Sequence, residues 1–128
     1  MCILVYIALL ITVAIGCDRA FENTQMKMTG GDPHSGKTAI RRYGCGACHI
    51  IPGISGANGV VGPSLDGIGT RAYVAGVLAN TPSQMILWIQ YPQNVAPRKA
   101  MPNLGVTEKD ARDIAAYLYS LTKSTPLR

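Results

Sequence analysis

This chain is poor in the residues that build metal clusters and in the long apolar runs that cross membranes. Its 128 residues include two histidines and four cysteines. Its longest apolar stretch, Ile3 to Ile15, is broken only by Thr12. It falls short of the ~20 residues a membrane-spanning helix needs. No Lys or Arg precedes that stretch, so only the α-amino group supplies positive charge there. There are no internal repeats and no strand pairs joined by hairpin turns, which argues against solenoids and β-sandwiches. No stripe of interleaved aromatic and basic side chains is present, which argues against nucleic acid as a partner.

What is present centres on Cys45-Gly46-Ala47-Cys48-His49. Two thiols three positions apart, followed at once by an imidazole, form the attachment pattern of a c-type haem. Each thiol adds to one vinyl group of the porphyrin, and the two intervening residues let both sulfurs reach the same ring. His49 then falls beneath the iron as proximal ligand. Two other readings compete. A zinc site needs four ligands, and beyond these three the chain offers only His34, Cys2 and Cys17. A dithiol redox pair expects a surrounding βαβ pattern, which is missing.

The apolar leader suits the h-region of a secretory signal. It ends Ala14-Ile15-Gly16-Cys17, which resembles a bacterial lipobox with Ala in place of the usual Leu. Lipidation at Cys17, plain cleavage after Gly16 and an uncleaved anchor all remain open, and all three deliver the chain outside the cytoplasm. Residues 1–17 are therefore expected to be a signal segment. Residues 18–34, polar and containing Gly30-Gly31-Asp32-Pro33, read as a flexible tether with Met26 and Met28 solvated. Residues 35–128 make one small folded domain. A unit this small buries a modest core, and a covalent haem would supply much of its interior.

Every charged residue lies after Cys17, so the mature chain keeps the formal net charge of +5. That suits an acidic partner or an anionic membrane surface. Arg41, Arg42, Arg98 and Lys99 adjoin the chemically distinctive segments and are candidates for a docking patch. Four helices are expected. The first runs from Ser35, as N-cap, to Gly44, with Ile40 and Tyr43 on one face. The second follows Thr70, carries Tyr73, Val74, Val77 and Leu78, and stops near Asn80. The third opens at the capping box Thr81-Pro82-Ser83-Gln84 and buries Met85, Trp88 and Ile89. The last opens at Thr107, with Glu108 and Asp110 at its positive end. Its stripe is Ile114, Tyr117, Leu118 and Leu121. Between the first two, Ile50 to Gly69 is a Gly-rich loop that must wrap around something.

Taken together, the haem motif, Gly62-Pro63-Ser64-Leu65, the Met101-Pro102 pair and the final Ile114-Ala115-Ala116-Tyr117-Leu118 resemble a class I cytochrome c. The likeness extends to the cytochrome c domains fused to some haem-copper oxidase subunits. The resemblance implies an all-α fold of about four helices wrapped around one covalent haem c. It implies Met101 as distal ligand through its thioether, and Pro63 offering its carbonyl to the Nδ1 proton of His49. It places Tyr117 and Leu118 against the first helix near Ile40. Trp88, whose indole N–H only donates, would bond the Met sulfur or a haem propionate, or pack as ordinary core. Met85 reads as core and His34 as a linker residue.

The function so implied is electron transfer without bond-making, because both axial positions are filled. A soft thioether ligand favours reduced iron and a high reduction potential. The partners implied are an oxidase, a quinol-oxidising complex or a periplasmic dehydrogenase, met by a periplasmic, membrane-tethered monomer. Two alternatives stand beside it: a bound haem subunit of a larger oxidoreductase, and a five-coordinate haem acting on peroxide or binding a gas.

Overall fold

A computed structural model describes residue 20 and residues 23–122. Its frame is a pair of helices pressed together at a glycine. Helix α1 is Pro33–Arg42. Asp32, not Ser35, is its N-cap, accepting from the backbone N–H groups of His34 and Ser35. The Ser35 hydroxyl donates to the same carboxylate at 2.6 Å. Asp wins because its two oxygens satisfy two exposed amides while Pro33, at the first helical position, has none to satisfy.

Four residues make up helix α3, Pro92–Val95, and nine make up helix α2, Pro82–Gln90. The C-terminal helix α4 is Glu108–Ser120, capped by Thr107, with Glu108 and Asp110 in its first turn. Helix α4 lies along α1 because Gly36 brings the backbones into contact. A Cβ there would overlap the Asp113 carbonyl. Ala39, Ile40, Ala111, Ile114, Ala115 and Leu118 fill the seam and are all buried. Thr81 caps α2 by accepting from the Gln84 N–H at 3.4 Å. The reciprocal half of that box does not form: the Thr81 N–H donates to the Ala79 carbonyl instead, and Gln84 Oε1 is buried without a partner. Met85, Trp88 and Ile89 are buried from α2.

The expected second helix is a hairpin. Strands β1 (Tyr73–Val74) and β2 (Leu78–Ala79) pair antiparallel, with Val74 opposite Leu78. Ala75 (φ 57°) and Gly76 (φ 72°) are both left-handed, which no helix tolerates in its middle. The apolar spacing that mimics a helix is instead half exposed: Val74 is 4% exposed but Tyr73 is 63%. Asn80 holds the segment, its side-chain amide donating to the carbonyls of Ile68 and Arg71 at 2.8 Å each.

The stretch expected as a flexible tether is helical over residues 23–29 and docks on α4. The Arg112 guanidinium donates to the Thr29 carbonyl at 3.1 Å, and the Asp32 N–H to Asp113 Oδ1 at 2.8 Å. A Cβ on Gly31 would overlap the Arg112 backbone. These contacts depend on a close approach and on buried polar groups, neither of which leaves a periodic trace. Met26 and Met28 are exposed. No helix among the described residues is long and apolar enough to cross a membrane. Residues 1–17, with the expected signal segment and Cys17, lie outside the described residues.

Candidate functional site

Helix α1 ends at Arg42, and Gly44 (φ 69°) turns the chain out of it. Cys45–Ala47 form a single 3-10 turn, and the Cys45 carbonyl accepts from both the Cys48 and His49 amides at 3.2 and 3.1 Å. This tight turn presents Cys45, Cys48 and His49 as one group. Both thiols are free and half-buried, and burial pushes the Cys45 thiol up from its ordinary value.

The following loop closes over the turn through backbone bonds. The Gly59 amide donates to the Gly46 carbonyl at 3.1 Å, and the Gly62 amide to the Cys48 carbonyl at 2.8 Å. The Leu65 amide reaches the Ile50 carbonyl at 2.9 Å. Close approach is what the glycines provide. A Cβ at Gly46 would sit 2.8 Å from Ala57, and one at Gly59 would overlap the Ala47 carbonyl. At Gly62 it would meet the His49 ring itself, 2.6 Å from Nδ1 and 2.9 Å from Nε2. His49 Nδ1 also lies 2.7 Å from the Pro63 carbonyl. A carbonyl only accepts, so Nδ1 carries a proton, and in the neutral ring Nε2 then keeps its lone pair. Arg71 braces the loop by donating to the carbonyls of Ser64 and Asp66 at 2.6 and 2.8 Å. The Tyr117 hydroxyl donates to the Pro52 carbonyl at 2.7 Å, beside Gly53.

Residues 34–122 match the family model described as Cytochrome c. The chain belongs to the cytochrome c family. No curated protein and no solved structure matches the chain. Membership implies a covalently bound haem c and an electron-carrier role, since cytochromes c are typically carriers and not enzymes.

The residues present fit a haem. Two free thiols and an imidazole with its Nε2 lone pair available are grouped on one turn, and Gly62 keeps the space beside the ring clear. Cys45, Leu65, Val95, Ala96 and Met101 pack against the core yet are only half covered by protein. That is the arrangement expected where a flat apolar group completes the interior. Among the described residues no group of three or more His, Cys, Asp and Glu side chains is placed to hold a metal ion.

Met101 is half-buried in the segment after α3, and Trp88 is 9% exposed within the core. His34 is exposed on α1. The four candidate docking residues divide. Arg41, Arg98 and Lys99 are exposed. Arg42 is committed instead: its guanidinium lies 2.6 Å from Asp110 Oδ1 and stacks 5.2 Å from the Tyr43 ring centre. Sequence reasoning missed Asp110 as the tie between helices, Asn80 as the hub of the hairpin, and Gln93 beside Met101. All three act chiefly on backbone groups or at long sequence separation, where no motif announces them.

Proposed function

We propose that this cytochrome c carries one haem joined through thioethers to Cys45 and Cys48, with His49 and Met101 as the two axial ligands. The observation that carries the reading is the His49–Pro63 contact at 2.7 Å. It fixes the ring, holds the proton on Nδ1 and makes Nε2 a stronger donor. The haem iron supplies a one-electron couple when bound. The chain's residues would hold it: Cys45, Cys48 and His49 from their shared turn, Met101 through its thioether, with Trp88 and its apolar neighbours excluding water. With both axial positions taken, no site is left for a substrate, which separates this reading from a peroxide-active or gas-binding protein.

The exposed Arg41, Arg98 and Lys99 supply a basic docking surface for an acidic redox partner. The partner is an oxidase, a quinol-oxidising complex or a dehydrogenase outside the cytoplasm. The leader ending at Cys17 exports the chain and tethers it to the membrane, which raises its effective concentration near such partners.

Two measurements test this. Mass spectrometry of the peptide spanning Cys45 to His49 is expected to carry one haem on both sulfurs, and an unmodified peptide from red protein overturns the attachment. Mass spectrometry of the mature N-terminus is expected to show a lipidated Cys17, and a free terminus there ends the lipid-anchor reading.

A further inference from the structure

The segment bearing Met101 has little regular structure to hold it. Residues 97–100 and 102–105 are exposed, and the described residues 96–107 carry no helix or strand. Three bonds from alternate positions of this segment nevertheless converge on one residue. The Gln93 side-chain amide donates to the Lys99 carbonyl at 2.8 Å and to the Met101 carbonyl at 2.6 Å. The Gln93 backbone N–H donates to Asn103 Oδ1 at 3.1 Å. Two carbonyl oxygens only accept, so the orientation of this amide is determined: Nε2 must face them. Gln93 stands on a firm base, since Pro92 before it is among the most deeply buried side chains.

We propose that Gln93 is the positioning residue for the Met101 thioether. It clamps the backbone on both sides of the ligand's own carbonyl, so the sulfur is presented at one depth and direction and is not left to wander with an exposed loop. This rests on Met101 being the sixth ligand, as argued above. The clamp sets how well the sulfur competes with an outside ligand for the iron. Without it, each opening of the loop leaves the sixth position free for longer.

The test uses four holoproteins: wild type, Gln93→Glu, Gln93→Leu and Met101→Ala. Glu keeps the length of Gln but turns a carboxylate toward two carbonyl oxygens. Leu removes the donor without charge, and it carries the test if the Glu variant does not assemble. The readouts are the far-red methionine–iron charge-transfer band of the oxidised protein and its affinity for free imidazole. Wild type is expected to show the band, and Met101→Ala to lose it. Both Gln93 variants are expected to weaken it and to bind imidazole roughly ten-fold more tightly, the effect of losing two ordinary hydrogen bonds in part. Gln93 variants that unfold more easily yet keep the wild-type band and imidazole affinity overturn the positioning role and leave the ligand assignment standing. A band that survives Met101→Ala, or is missing from wild type, overturns the ligand assignment and the proposal with it.

Discussion

The two segments proposed to supply the haem's ligands are held by different means. From Cys45 to Leu65 the chain is fixed by its own backbone: amide-to-carbonyl bonds join Gly59 to Gly46 and Gly62 to Cys48, and three glycines permit contacts no other residue allows. From Lys99 to Asn103 the chain is exposed except at the half-buried Met101, and it is held mainly by one residue outside the segment, Gln93, through its side-chain amide and its backbone N–H. The first segment is tightly restrained at Gly46, Gly59 and Gly62, where an added Cβ has no room. The second is adjustable, because its position depends on a side chain that can be exchanged. A carrier needs a permanent attachment on one side and a tunable ligand on the other, and the two kinds of restraint match those needs.

The same substitution made in both regions gives the sharpest contrast. Gly62→Ala drives a Cβ into the His49 ring against a backbone that cannot retreat. A loss of about 3 kcal/mol or more is expected, seen as a collapse in holoprotein yield and thermal midpoint. Gly105→Ala meets nothing within 4 Å, and its only penalty is a left-handed φ of 68°. It is expected to cost about 1 kcal/mol and to leave haem incorporation intact. Equal losses for the two would break the contrast.

Asp110 links the two regions and comes next in size. It joins the end of α1, just before the cysteines, to the start of α4, just after the Met101 segment. Its carboxylate accepts from the Tyr43 and Thr107 hydroxyls at 2.8 Å each and pairs with Arg42. These partners, the Thr107 hydroxyl foremost, hold its carboxyl below the ordinary 3.8. A carboxyl lowered by folding stabilises the fold above that value, and the contribution disappears as pH falls through the lower folded value. Asp110→Asn is therefore expected to lower the urea midpoint near neutral pH, with the gap to wild type closing below pH 3.8. A gap that stays constant with pH contradicts this account of Asp110.

Charge reversal has the smallest expected effect on stability and the most specific effect on function. Arg41→Glu beside the rigid segment and Lys99→Glu on the adjustable one are expected to leave the unfolding midpoint unchanged. Both are expected to slow electron transfer to an acidic partner at low salt and to flatten the salt dependence. Rates unchanged at low salt rule out this docking surface. Arg42→Glu is expected to differ from both by lowering stability, because its guanidinium is paired with Asp110.

The sequence-based reading succeeded where chemistry or periodicity is local. Ile114 and Leu118 of the stripe on α4 and the Thr81 and Thr107 caps follow from short-range rules, and Cys45, Cys48 and His49 stand out because they lie within five residues of one another. It failed at Tyr73 to Ala79 because apolar spacing fits a helix until Gly76, with Ala75, takes a left-handed turn. It failed at residues 23–32 because Gly31 and Asp113 act through contact across about eighty residues of chain. Gln93 left no trace because it binds main-chain carbonyls, which every residue has. Gly62 was legible only as part of the Gly62-Pro63 pattern; that it clears space for the His49 ring follows from geometry.

The central claim is that His49 and Met101 occupy both axial positions. Methyl-labelled methionine in the reduced holoprotein tests it most directly by NMR. A methyl group bound over the haem face is displaced far upfield by the ring current, and the chain has five methionines, with only Met101 assigned there. The account predicts one displaced methyl signal that disappears in Met101→Ala. No displaced signal, or one that survives that substitution and belongs to the buried Met85, contradicts it.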